Sequence, residues 1–142
     1  MTIKAILQSK GADILSISGE ASVKDAIALL AEKRIGALPV IDEGEVRGIF
    51  SERDVVYGIA REGAAILVRK VSDVMISPAI TVVPDEPVMG ALGLMTRRRI
   101  RHLPVVENGK PLGFVSIGDL VKYRIDKIEA EAAALRDYIQ TA

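Results

Sequence analysis

The segment "RIGALPVIDEGEVRGIFSERDVVY" (34–57) lies on "RIRHLPVVENGKPLGFVSIGDLVK" (99–122) without a gap, at a constant offset of 65 residues that pairs Gly48 with Gly113 and Ser51 with Ser116. Ten of the 24 aligned positions are identical, including the Leu-Pro-Val and the Ser and Asp of a Ser-x-x-Asp. Chance alone would match far fewer, so the chain is a duplication, and the duplication governs how everything around it is read.

Working outward, each copy repeats the same elements. Val23, Ala26, Ile27 and Leu30 fall at i, i+3, i+4 and i+7, and Val88, Ala91, Leu92 and Met95 repeat that spacing, so an amphipathic helix precedes each matched segment. Before each helix lies a short β-branched run, "ILSIS" (14–18) or "AITVV" (79–83), ended by the turn and helix-start residues "GEAS" or "PDEP". Within the segment, "LPVID" and "VRGIFS" flank "EG", and "LPVVE" and "PLGFVS" flank "NG", a tight-hairpin signal. A second helix follows each hairpin. The expected fold is α/β of the α+β type: β-α-β-β-α, twice, with a small sheet in each copy.

Neither copy, at about 60 residues, buries much core alone, so the two are expected to pack as one unit across a pseudo-twofold axis with a cleft between them. The expected divisions are 1–66, 67–124 and a helical extension, 125–142. The link "REGAAILVRKVSDVMIS" (61–77) is apolar enough to be packed structure, and residues 1–8 take the part in copy one that "VRKVSDVM" (68–75) takes in copy two. Past Asp119 the absence of Pro and Gly predicts one long helix. Val121, Ile125, Ile128, Ala132, Leu135 and Ile139 make a heptad seam on it. Such a seam either packs back on the N-terminal segment or pairs with a second copy in a homodimer.

Composition narrows the function. With 19 basic and 19 acidic residues there is no global field to attract nucleic acid or an acidic membrane. No cysteine and a single histidine, His102, exclude thiolate chemistry, cysteine zinc sites and multi-histidine metal sites. Charged residues interrupt the N-terminal apolar stretch and no long apolar run occurs, so a cytoplasmic chain with no membrane contact is expected.

The repeated Ser-x-x-Asp has two readings. Serine is a preferred N-cap and an acid at N3 reaches back to the cap N–H, so helix initiation alone explains the pair. The second reading is a nucleotide site. Gly48 and Gly113, three residues before each serine, let another group approach the strand end, and the first helical N–H groups would welcome a phosphate.

The order "LPV", hairpin, "G-h-h-S-x-x-D" and helix, present twice, resembles the cystathionine β-synthase (CBS) domain pair, also called the Bateman module. The resemblance covers essentially the whole chain and is most similar to stand-alone two-repeat proteins sharing "QSKG", "SERD", "RRRIRHLPV", "SIGD" and "EAEAAALRDYI". It implies a sensor of adenine nucleotides (AMP, ATP or NAD(H)) bound in the cleft, a disc-like homodimer, and a regulated partner protein. Carried over residue by residue, it implies ribose carboxylates at Asp119 and Asp54, and phosphate-proximal hydroxyls at Ser116 and Ser51. It implies cationic positions at Arg101 and His102, where copy one has Gly36 and Ala37, and adenine contacts at Met75, Ala79 and Ile80, repeated at Ile14 and Leu15. The main site is then Met75, Ala79, Ile80, Arg101, His102, Ser116, Gly118 and Asp119. Gly118 opens that helix start, whereas "SERD" puts Glu52 beside Arg53. The weaker site is Lys10, Ile14, Leu15, Ser51, Arg53 and Asp54, where Lys10 either reaches a phosphate across the cleft or is a plain surface lysine.

Three other functions compete. The heptad helix suits an interaction protein whose Ser-x-x-Asp pairs are only caps. The run "RRRIRH" (97–102) suits a nucleic-acid face, but the chain has five aromatic residues and no net charge, so nucleic acid is not expected. A Ser116 and His102 pair would suit a hydrolase, but no third orienting group stands at a motif position, so the chain is read as a binding module with no catalytic residues and no metal.

Overall fold

The computed structural model describes residues 1–11 and 13–141. Its elements run α1 (Ile3–Lys10), α2 (Val23–Lys33), β1 (Ala37–Asp42), β2 (Glu45–Ser51), α3 (Glu52–Glu62), a 3-10 helix (Gly63–Val68), α4 (Val71–Val74), α5 (Val88–Arg98), β3 (His102–Glu107), β4 (Lys110–Ser116) and α6 (Ile117–Thr141). The architecture is α+β, with two antiparallel hairpins, β1-β2 and β3-β4. Their registers match at the 65-residue offset: Val40 faces Gly48 and Val105 faces Gly113, with a bulge after each valine. Glu43-Gly44 and Asn108-Gly109 turn the hairpins with φ of 54°, 75°, 51° and 77°. Positive φ at both central residues matches the right-handed twist of the strands, as in a type I′ turn.

The leading β-branched runs contribute one residue each to the sheets. Ile17 pairs in parallel with Val40, and Val82 with Val105. The bonds are Ile17 N–H to Pro39 O and Ile41 N–H to Ile17 O, repeated as Val82 to Pro104 and Val106 to Val82. The next upstream rung would need an N–H from Pro39 or Pro104, which proline lacks. So the chain at Leu15 and Ile80 is released from the sheet by the proline of each "LPV".

Each copy buries its neighbour's leading segment. Ile3 and Ile6 of α1 are buried with Val88, Met95, Leu103, Val105, Val115 and Leu120 of copy two. Val71 of α4 is buried with Val23, Leu30, Leu38, Val40, Phe50 and Ile66 of copy one. Backbone bonds fix the exchange: Ile3 N–H to Glu86 O and Lys4 N–H to Pro84 O on one side, Val71 N–H to Ala21 O and Ser72 N–H to Gly19 O on the other. Two cores that share segments crosswise close what neither copy of this size closes alone.

The crossover also accounts for the strand glycines. A Cβ on Gly48 would stand 2.5 Å from Ile76 O, and one on Gly113 would stand 2.4 Å from Leu7 Cδ2. The group that approaches each strand end, as the glycines led one to expect, is the exchanged leading segment: Ile76 at Gly48 and Leu7 at Gly113.

The long helix runs to Thr141; Ala142, the last residue of the expected extension, lies outside the described residues. Its seam is not covered by α1: Val121, Ile125, Ile128, Leu135 and Ile139 are 42%, 49%, 48%, 60% and 65% exposed. No helix among the described residues is long and apolar enough to cross a membrane.

Candidate functional site

Both Ser-x-x-Asp pairs sit where a strand becomes a helix. At the end of β4 the Ser116 N–H donates to Asp119 Oδ2 at 2.9 Å and the Asp119 N–H donates to Ser116 Oγ at 3.1 Å. This reciprocal box satisfies two helix-start donors. At the end of β2 the Ser51 N–H and hydroxyl both donate to Asp54 Oδ2, at 2.8 and 3.2 Å. The capping reading therefore holds, and it uses only half of each carboxylate: among the described residues every bond to Asp54 and Asp119 falls on Oδ2. Oδ1 is left as an acceptor in both copies.

The two carboxylates differ in their surroundings. Asp54 is buried, and burial pushes its carboxyl above the usual aspartate value against the opposing pull of the Ser51 donors, Arg53 and Arg61. Burial would also raise Asp119, but the Lys10 ammonium and the Ser116 donors together hold it below that value. Lys10 Nζ donates to Asp119 Oδ2 at 2.7 Å and to Phe114 O at 2.6 Å. The corresponding carbonyl in copy one, Ile49 O, accepts the backbone N–H of Ile76 at 2.9 Å. The side-chain ammonium thus replaces a backbone donor, because α1 runs on to Lys10 while α4 stops at Val74.

A cavity of about 150 Å³ lies between the copies. Its copy-one wall is Gly36, Ala37, Ile49, Ser51, Glu52 and Arg53, and its opposite wall is Ile76, Ala79, Ile80 and the run 99–102. Pockets that enclose a whole drug-sized ligand run to roughly 300–1,000 Å³, so this space suits one ring system, with the remainder of a ligand at the mouth. The walls are apolar where Ile49, Ile76, Ala79 and Ile80 meet, and cationic where Arg53, Arg99 and Arg101 meet. Arg53 Nη1 donates to Arg99 O at 3.3 Å, tying the start of α3 to the end of α5. Arg99 takes a left-handed φ of 55° as the C-cap of α5, which turns the chain into the cavity wall.

The cavity joins Ser51 and Arg53 with Ala79, Ile80, Arg101 and His102, residues that the family resemblance had divided between two sites. Met75 packs against the copy-one core beside Gly48. Ser116, Gly118 and Asp119 stand at the second helix start, with Lys10 seated on the carboxylate rather than beside Ser51. Ile14 and Leu15 precede the Ile17 bridge as Ala79 and Ile80 precede Val82, so they occupy the equivalent place in copy one. The crossover causes the regrouping. Ile49, Ile76, Arg99 and Ile100 were missed; the Arg34 and Arg99 identity that opens the alignment was the available signal.

His102 lies between the two helix starts. Its ring stacks on Phe114 with centroids 5.5 Å apart and planes 12° apart. Burial lowers its pKa first, with Asp119 and Glu52 opposing and Lys10 and Arg101 assisting, so it is held neutral near pH 7. A neutral imidazole there keeps one donor and one acceptor among charged neighbours.

Comparison with known proteins places this geometry. The CBS domain matches residues 3–61 and 71–126. The chain is 36% identical, over 148 aligned positions covering 98% of it and 72% of the relative, to the mitochondrial CBS domain-containing protein CBSX3 of Arabidopsis thaliana. The crystal structure of the CBS-domain containing protein ATU1752 from Agrobacterium tumefaciens superposes with a TM-score of 0.83 at 39% identity, over 87% of this chain and 92% of that one. The CBS domain pair of protein MJ0100, solved in complex with 5′-methylthioadenosine and S-adenosyl-L-methionine, superposes with a TM-score of 0.78 at 25% identity, over 89% and 98% of the two chains. Both repeats are matched, and solved pairs follow the fold along nearly their whole length: the chain belongs to the CBS domain family, as one tandem pair.

Proposed function

We propose that the chain is a regulatory module that binds an adenine nucleotide (AMP, ATP or NAD(H)) between its two repeats and passes the bound state to a partner protein. The observation that carries this reading is the half-used carboxylate: Asp54 and Asp119 each spend Oδ2 on the helix start and keep Oδ1 for an outside donor. A carboxylate oxygen at a helix start suits a ribose hydroxyl, and the adjoining N–H groups with Arg101 suit phosphate. The apolar Ala79 and Ile80 wall suits a base. A related pair, that of MJ0100, was solved with two adenosyl compounds, which supports the same class of ligand here. On this reading the residues act by binding and orienting, and perform no chemical step.

The exposed seam of α6 supports a homodimer. With Val121, Ile128 and Leu135 at one heptad position and Ile125, Ala132 and Ile139 at the other, two parallel copies in register set Arg124 opposite Glu129 and Glu131 opposite Arg136. The α3 helix adds exposed Val56, Tyr57 and Ile59 to the available apolar surface.

Titration calorimetry of the purified protein with AMP, ADP, ATP, NAD and NADH in turn tests the reading. Saturable binding of at least one, with a rise in Tm, is expected; heats no larger than dilution for all five, with no thermal shift, would overturn it.

A further inference from the structure

The two helix starts are not equivalent receptors. At Asp119 an ammonium is already in place: Lys10 Nζ sits 2.7 Å from Oδ2, with a second bond of 2.6 Å to Phe114 O that fixes its position. At Asp54 the same oxygen is bonded, among the described residues, only by Ser51, and the neighbouring strand carbonyl is satisfied by a backbone N–H that carries no charge.

We propose that Lys10 is a specificity-determining residue that makes the Asp119 site select phosphorylated adenosines over neutral or cationic adenosyl compounds. The inference rests on the nucleotide-binding reading and deepens it. Lys10 neutralises the carboxylate without occupying Oδ1, so the ribose acceptor survives while the carboxylate's negative field is cancelled. A phosphate entering at the start of α6 then meets the Lys10 ammonium, with no uncompensated carboxylate to repel it. A sulfonium or ammonium group entering there meets the same cation, with no uncompensated carboxylate to attract it. Because Lys10 is the last residue of a helix packed on copy two, its ammonium is held near the site when the ligand arrives, and the ordering cost is met in folding.

Equilibrium dialysis with AMP, 5′-methylthioadenosine and S-adenosyl-L-methionine tests this on the full chain, in wild type, Lys10→Met and Lys10→Arg. To read the Asp119 site, each is also made with Asp54→Asn, which keeps an acceptor for Ser51. In wild type AMP is expected to bind best at that site. Lys10→Met should lower the ratio of AMP to methylthioadenosine affinity by about tenfold, the size expected of one partly screened charge close to a phosphate. Lys10→Arg should keep most of it. Circular dichroism that matches wild type shows the variants folded; half-exposed Lys10 makes that the expected result. If wild type binds AMP and Lys10→Met keeps the same ratio, the role of Lys10 is wrong and the nucleotide reading stands. If wild type binds none of the three, both fall.

Discussion

The Lys10 ammonium at the end of α1 lies 2.7 Å from Oδ2 of Asp119, across 109 residues of chain. That contact exists because α1 crosses to copy two and inserts Ile3 and Ile6 into its core. One salt bridge thus records the exchange of leading segments and marks one of two repeated sites with a charge.

The Asp119 carboxyl, held below its unfolded value, contributes stability that is present above the unfolded aspartate pKa of about 3.9 and is lost as pH falls through the lower folded value. Asp54 works in the opposite sense. Raised by burial, it contributes stability below the unfolded value that is lost as pH rises through the raised folded one. At pH 7, Asp119→Asn should therefore destabilise, by no more than about 1 kcal/mol for a half-exposed pair, and Asp54→Asn should be neutral or stabilising. Urea midpoints of both variants at pH 7 and pH 4 check the sign; a loss of stability for Asp54→Asn at pH 7 would contradict it.

Asp119→Ala removes the proposed ribose acceptor and the reciprocal cap together. Nucleotide affinity at that site should fall by more than tenfold, while folding stability drops by about 1 kcal/mol, the usual worth of a cap. Ligand-induced Tm shifts beside unliganded Tm separate the two effects, and an unchanged shift would argue that Asp119 serves only as a cap.

Gly48→Ala and Gly113→Ala should differ in severity. Alanine at Gly48 meets the backbone oxygen of Ile76, which is held in a two-way bridge with Ile49, whereas alanine at Gly113 meets the flexible end of Leu7. Overpacking costs about 1–3 kcal/mol, and Gly48→Ala is expected near the upper end with Gly113→Ala below it. Equilibrium denaturation of the two proteins orders them.

Substituting the α6 seam should separate assembly from folding. Leu135→Asp places a charge at a position 60% exposed in the single chain, so the isolated fold should lose no more than about 0.5 kcal/mol. If the proposed homodimer forms through this seam, sedimentation velocity should show a dimeric wild type and a monomeric Leu135→Asp; a dimer of unchanged mass in the variant would move the contact to another face.

Much of the fold was legible in the sequence because its signals are local. Glu43-Gly44 and Asn108-Gly109 fix their hairpins through the φ they require, and the i, i+3, i+4 spacing from Val23 and from Val88 marks the buried stripes of α2 and α5. The Ser-x-x-Asp boxes form where expected because a cap and its N3 acid are three residues apart. The leading strands shrink to the single residues Ile17 and Val82, which follows from Pro39 and Pro104 and was within reach of the same reasoning.

What the sequence by itself determined is the repeat, its element order, and the residue types at each helix start, since all of these act over a few residues or over an exact offset. Only the tertiary structure decided which copy each leading segment serves. Residues 1–10 and 69–76 carry similar apolar faces, and both cores accept such a face, so nothing local assigns one to the other. Packing two incomplete cores against each other sends them crosswise, and that sets Ala79 and Ile80 beside Ser51 and Lys10 on Asp119.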